Sequence, residues 1–374
     1  MKTIDRLLEA TQQMNHIYHP QILRLNGKAD KDIFESLFTD GKVSFIHDNI
    51  VGQLRELIKC SNPSIKIEED EYPKLIEEKL RGTDINQYGV WVYYPWSQRL
   101  VHLLDEEEFV EVRTNRNRNK ITKEEQKQLQ SKKIGIVGLS VGQSIALTLA
   151  MERTCGEIRL ADFDDAELSN LNRIRTGLFN LGLNKTVIAA REIMEIDPFL
   201  KVSIYNEGLR EQNMDDFFCK GGLLDLFVEV CDGLEVKLAS RFKAKKLKIP
   251  VVMDTNDRGM LDVERFDLEP ERSIFHGQLD AFIQDDSISV TFENRTQILM
   301  SILSYESLSE RMRTSMEQIN KTINTWPQLA SSVVLGGAIT TDICRKILLG
   351  QHSHSGRFYV DLDEIFETKM VTNP

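Results

Sequence analysis

Residues 162–173, DFDDAELSNLNR, follow a glycine turn, GIVGLSVG, by about the length of one buried helix, and this pairing constrains the chain more than any other feature. Residues 134–137 are a short apolar run, Gly138 and Gly142 permit a tight turn, and the apolar segment 144–151 reads as a helix packed on a sheet. A second run, 157–161, delivers Asp162 to a strand end, where a carboxylate can take the hydroxyls of a ribose. Asn170 and Arg173, three apart on a turn or short helix, put a donor amide and a cationic fork on one side. A dinucleotide dehydrogenase has no use for that cluster, whereas a site holding a triphosphate does. The structural alternative for Asp162 is a helix cap.

The strand-then-helix pattern continues through 133–137, 143–152, 157–161, 185–195, 202–205, 224–231, 235–246 and 250–253. Such alternation predicts an α/β fold: a Rossmann-like, mostly parallel sheet with helices on both faces and ligands beyond the carboxyl ends of the strands. Asp162, Asp232 and Asp254 each follow a strand, on that edge. Strands at 261–266 and 287–292 predict an antiparallel extension, with helices following to Lys321.

Residues 1–110 read as a separate, smaller α+β domain, and 111–374 as the nucleotide-binding one. Helices are expected over 48–59 and 71–81, and residues 89–104 alternate as two strands around Pro95. Trp91, Tyr93, Tyr94 and Trp96 are core by default and a docking face as the alternative. A charged linker leads to Thr122, which forms a capping box with Glu125 and opens a helix over 123–131.

A formal charge of -11 over 374 residues argues against nonspecific nucleic-acid or anionic-membrane binding as the main business. No stretch approaches the roughly 20 apolar residues of a membrane span, and the first residues read as an amphipathic helix instead of a signal peptide. Five scattered cysteines without a CxxC pair fit a cytoplasmic location.

These motifs together resemble the ThiF/MoeB adenylyltransferases, relatives of the ubiquitin-activating enzymes. Asp162, Asp164, Ser169, Asn170, Leu171 and Arg173 stand in that family's signature, and the resemblance covers roughly residues 111–374. It places Lys185 of LGLNK on ATP and Asp232 of VEVCD beside the metal and phosphates. It implies an ATP- and Mg2+-dependent enzyme that adenylates a carboxylate, the leading acceptor being the C-terminal glycine of a ubiquitin-like or sulfur-carrier protein. Gly138 and Gly142 would let the backbone approach the nucleotide, Asp162 would hold the ribose, and Asn170, Arg173 and Lys185 would contact the phosphates. Arg173, Lys185 and Asp232 would be the catalytic set, with Asp232 as metal ligand. The resemblance also implies a homodimer in which Arg116 or Arg118 reaches the neighbour's phosphates; the alternative is a solvated linker.

Three departures qualify the resemblance. GLSVGQ replaces the family's denser GxGGxG, so Ser140, Val141 and Gln143 crowd the turn. Paired zinc cysteines are missing, so no zinc is expected. No cysteine lies between Asp232 and Cys344, and Cys231 and Cys344 are expected in a buried strand and the last long helix, so the chemistry is expected to stop at the acyl adenylate. The alternatives are activation of a small-molecule or tRNA-borne carboxylate, for which residues 241–248 offer a basic patch, and an NAD-binding oxidoreductase.

Overall fold

The computed structural model describes residues 2–285 and 287–367. The chain forms two compact units, one of Met1–Glu124 with Arg191–Phe199, the other of Glu125–Ala190 with Leu200–Pro374.

The first unit contains α1 (Lys2–Met14), β1 (Gln21–Leu23), α2 (Lys28–Thr39), β2 (Phe45–Asp48), α3 (Ile50–Ser61), α4 (Tyr72–Leu80), β3 (Val90–Tyr94), β4 (Arg99–Leu103) and α5 (Glu106–Arg113). Its sheet runs β1-β3-β4-β2, antiparallel except for the parallel β2/β4 pair. The alternation of β3 sends Trp91 and Tyr93 into one apolar cluster and Val90, Val92 and Tyr94 into another. Their polar atoms are spent internally: Trp91 Nε1 donates to Asn86 O at 2.9 Å and Tyr94 OH to Met194 O at 3.1 Å. These aromatics are therefore core, and the docking-face alternative fails for them.

The helix α6 (Lys123–Gln130) leads into the second unit, which contains β5 (Lys133–Val137), α7 (Gly142–Glu152), β6 (Glu157–Ala161), the first half of α8 (Lys185–Ile196), β7 (Lys201–Tyr205), α9 (Glu211–Cys219), β8 (Leu226–Glu229), α10 (Leu234–Lys246), β9 (Val251–Asp254) and β10 (Met260–Glu264). After these come α11 (Arg295–Leu303), α12 (Glu310–Gln318), α13 (Ala330–Leu348), β11 (Gly356–Tyr359) and α14 (Leu362–Glu367). The seven strands run β11-β10-β9-β8-β5-β6-β7, parallel from β9 to β7 and antiparallel at β10 and β11. Chain order reverses at β5, so a crevice opens beyond the carboxyl ends of β5, β6 and β8. The parallel strands are buried on both faces, which accounts for their near-continuous apolar runs.

Two expectations are corrected here. Residues 288–292 form no strand; Ser287 makes only an isolated bridge to Gln284, and the outer edge of β10 is taken by β11 instead. Residues 241–248 make a smaller basic patch than expected, because Arg241 is fully buried and Lys243 pairs with Asp215, which leaves Lys245, Lys246 and Lys248 toward the surface. Arg241 bonds Glu264 at 2.7 Å and Asp262 and Glu229 at 3.3 Å each, with its guanidinium 3.9 Å from the centre of the Phe275 ring. Lys237, His276 and Arg357 complete this buried network.

Helix α13 closes one face. A Cβ built on Gly336 would lie 2.1 Å from Asp254 Oδ2, and one on Gly337 would lie 2.4 Å from Ser144 Oγ. Among the described residues no helix is long and apolar enough to cross a membrane.

Candidate functional site

The glycine turn begins where β5 ends. Gly138 has φ +87, and a Cβ there would sit 2.5 Å from the Val230 carbonyl oxygen, so both the backbone conformation and the approach of β8 demand glycine. Gly142 is needed for a different reason: its Cβ would meet Ile136 at 2.9 Å, where α7 packs on the sheet. Leu139 and Val141 are buried and Ser140 is half-buried, so the bulkier turn keeps its apolar residues inward.

Asp162 holds this turn. One carboxylate oxygen accepts from Leu139 N–H at 2.6 Å, and the other from Asp164 N–H at 2.9 Å. Burial pushes its pKa up, against the pull of those two donors. Each oxygen retains a second lone pair, so the same carboxylate can shape the turn and still accept from a ribose.

Asn170 is buried within the short 3-10 turn Leu168–Asn172, where its side-chain oxygen accepts from Glu167 N–H at 3.2 Å. Its amide nitrogen is what remains for a ligand. Arg173 follows, donating from Nε to Ser140 Oγ at 3.1 Å and from Nη1 to Asn172 Oδ1 at 2.9 Å. Burial lowers its pKa while the charge of Asp232 raises it. Asp232 itself is exposed just beyond β8 and makes no hydrogen bond or ion pair among the described residues.

Lys185 is the first residue of α8 and is buried, with Nζ 2.7 Å from Asp164 Oδ2. A cation at a helix N-terminus opposes the macrodipole, and Asp164 offsets that cost. Two partners were thus missed by sequence reasoning: Ser140, read as crowding and found holding Arg173, and Asp164, given no role beyond its place in the signature and found holding Lys185. Side-chain direction at a turn is not encoded in spacing, so neither had a sequence signal.

Cys231 is not within the strand; it lies beyond Glu229, where β8 ends, and is half-exposed. Its thiol is 3.3 Å from Glu229 Oε1, and burial followed by that carboxylate pushes its pKa well up. Cys344, buried in α13 as expected, is likewise pushed up by burial. Asp257 and Arg258, just beyond β9, have structural partners: Asp257 accepts from Ser309 N–H at 2.9 Å and Oγ–H at 2.7 Å, and Arg258 bonds Asp361 at 2.5 Å.

A cavity of about 830 Å³ opens beside these residues, between the ends of β8 and β9 and the segment carrying α11 and α12. Asp232 and Cys231 stand on its rim. Arg173 borders a second, smaller cavity of about 440 Å³ against α7 and α13. Among the described residues no group of three or more His, Cys, Asp or Glu is placed to hold a metal. A magnesium ion, which keeps few protein ligands and several waters, would need no more from the chain than a carboxylate such as that of Asp232. A nucleotide fits the glycine turn, the shared carboxylate of Asp162 and the cations Arg173 and Lys185.

The profile of the ThiF family matches residues 114–352. Uncharacterized protein MT1398 of Mycobacterium tuberculosis (strain CDC 1551 / Oshkosh) is 40% identical over 344 residues, which cover 91% of this chain and 45% of that protein. The chain therefore spans less than half the length of that relative. The tRNA threonylcarbamoyladenosine dehydratase of Bacillus subtilis (strain 168) is 21% identical over 247 residues, covering 62% of this chain and 95% of that protein. The structure of E. coli tRNA N6-threonylcarbamoyladenosine dehydratase, TcdA, in complex with ATP overlays with a TM-score of 0.47 at 16% identity, covering 67% of this chain and 98% of that one. With its family profile matched across the glycine turn, the signature loop and α13, the chain belongs to the ThiF family.

Proposed function

We propose that this chain is an ATP-dependent adenylyltransferase that activates a carboxylate. One observation carries the reading: a glycine turn, a buried aspartate, two cations and one uncommitted carboxylate meet at the ends of β5, β6 and β8, the switch point of the sheet. Bound there, ATP supplies the α-phosphorus that the carboxylate oxygen attacks as the bond to pyrophosphate breaks, with Mg2+ offsetting phosphate charge.

The chain's own residues position and stabilise. Gly138 brings the backbone close, Gly142 seats α7, and Asp162 holds the turn and the ribose. Asn170 donates to phosphate, Arg173 and Lys185 supply positive charge toward the departing pyrophosphate, and Asp232 holds the metal. The raised pKa of Cys231 supports a reaction that stops at the acyl adenylate, because a thiol held neutral is a poor nucleophile.

The family supports a ubiquitin-like or sulfur-carrier C-terminal glycine as acceptor. A small-molecule or tRNA-borne carboxylate is the second reading, favoured by the cavity of about 830 Å³ and by the dehydratase relative. The division proposed is a domain of 1–110 and an adenylation domain of 111–374, the linker to Glu124 clustering with the first compact unit. The working form is a cytoplasmic homodimer. Of the two linker arginines, Arg118 is bonded to Glu111, while Arg116 is exposed and is the one left to complete a neighbour's site.

Carboxylate-dependent exchange of labelled pyrophosphate into ATP tests the reaction. Absence of ATP binding at millimolar nucleotide with magnesium would overturn it. Mixing Arg116→Ala with Arg173→Ala chains tests the sharing: rescued activity supports an arginine acting in trans, and inactive mixtures with proven subunit exchange count against it.

A further inference from the structure

The floor of the large cavity carries polar atoms that the adenylation chemistry does not use. Asp254 ends β9 with only 4% of its surface exposed, and it lines the cavity. One oxygen accepts from Asn256 N–H at 3.3 Å, while Oδ2 is buried without a partner. Both side-chain polar atoms of Asn256, which also lines the cavity, are buried and unpartnered. Asp254 Oδ2 and Asn256 Oδ1 lie near one another beside α13, 2.1 Å and 3.1 Å from where a Gly336 Cβ would stand, so any side chain at that position would run into them.

Three unmet polar atoms at one place cost free energy, on the order of 1–3 kcal/mol each when nothing bonds them. The carboxylate also lacks a counter-ion: among the described residues no cation pairs with it, and burial pushes its pKa up to about 7. The two acceptors, Asp254 Oδ2 and Asn256 Oδ1, are completed by a cation that brings its own N–H donors, while Asn256 Nδ2 needs an acceptor.

The rest of the cavity agrees in sign. Its lining includes six carboxylate and three cationic side chains. Lys237 is committed to Glu229 at 2.7 Å, and Arg258 to Asp361. Apolar walls come from Val230, Leu299, Ile302, Leu308 and Trp326. An acidic floor under apolar walls, with Asp232 on the rim, fits an amphipathic molecule carrying a carboxylate at one end and a protonated amine at the other.

We propose that Asp254 and Asn256 form a specificity subsite that takes a protonated amine of the acceptor whose carboxylate is activated. The ammonium donates to Asp254 Oδ2 and Asn256 Oδ1, and the carboxylate lies toward the mouth beside Asp232. The assignment of the carboxylate end rests on the adenylation reading, whereas the amine end does not.

Binding to the full chain is measured first without nucleotide, using n-alkylamines from ethylamine to octylamine, with the matching n-alcohols as controls. At least one amine should bind, its alcohol should not, and Asp254→Asn should weaken binding tenfold or more. Asn256→Asp, which adds a negative charge at the same spot, should tighten binding and serves as the second variant. No amine binding by the wild-type chain, or equal binding by Asp254→Asn of confirmed fold, overturns the subsite and means that water alone fills it. A second arm compares pyrophosphate exchange supported by 6-aminohexanoate and the peptide Lys-Gly-Gly with that supported by heptanoate. Exchange favouring either amine-bearing acid by tenfold supports the subsite and identifies its source, and no preference counts against it. Amine binding retained in a chain that does not bind ATP would sink the adenylation reading alone.

Discussion

Replacing Gly138 by alanine puts the turn under a load that can be worked out. At φ +87 an alanine sits in left-handed space, at a cost of about 1–2 kcal/mol. The new Cβ would also stand 2.5 Å from Val230 O, 2.7 Å from its carbonyl carbon and 2.8 Å from Cys231 Cα. All three are backbone atoms, so no side chain can swing aside and β5 or β8 must shift; overpacking of this kind adds about 1–3 kcal/mol. At about 2–4 °C per kcal/mol for a unit of this size, the melting temperature should fall by roughly 4–20 °C. Gly182→Ala is the matched control, because its φ is +79 but nothing lies within 4 Å of the added Cβ. It should show the backbone cost alone, about 1–2 kcal/mol. Thermal unfolding followed by circular dichroism reads both, and hydrogen exchange of β5 and α7 localises the loss. The displaced turn also carries Leu139 N–H away from Asp162, so Gly138→Ala should weaken nucleotide binding and Gly182→Ala should not. Equal destabilisation by the two substitutions would refute the argument from close approach.

Arg173→Ala removes two side-chain hydrogen bonds at a half-buried position, so the fold should persist, while pyrophosphate exchange should drop by tenfold or more per 1.4 kcal/mol of lost phosphate contact. Asp232→Asn should raise the magnesium concentration needed for exchange, and an unchanged requirement would remove it as metal ligand. Arg241→Met leaves Glu229, Asp262 and Glu264 buried without their shared cation and should cost about 3–5 kcal/mol in urea unfolding. For Asp254 the folded-state pKa lies above the unfolded one, so protonation contributes stability that is fully present below about 3.8 and is lost as pH rises through about 7. The shift sets an upper limit of about 4 kcal/mol, and Asp254→Asn should flatten the fall in stability between those limits; an unchanged slope would mean that this carboxyl does not titrate there.

The parallel strands and their helices were legible because each is buried on both faces and reads as an apolar run between turn residues. Gly138 and Asp162 were legible through their spacing, which places them at adjacent strand ends. What spacing does not encode is direction. Ser140 and Asp164 hold Arg173 and Lys185 only because a turn aims them there. Residues 287–292 alternate as a strand does, but the outer edge of β10 is taken by β11, from nearly seventy residues further along. The apolar run before Asp232 has no internal stop and so extends the expected strand over Cys231, whereas the ladder ends at Glu229. Asp254 was visible as an acid at a strand end, but its missing partner is a property of packing against α13.

The two adjacent glycines of α13 meet different neighbours, since consecutive helical positions point about 100° apart. Gly336 sets how near the helix lies to Asp254, and Gly337 how near it lies to Ser144 in α7. The helix thus acts as a single spacer that fixes two distances at once, one to the cavity floor and one to the helix that carries the glycine turn. A side chain at either glycine would push the whole helix and change both, so the floor of the cavity and the seat of the glycine turn are tied to one another through α13.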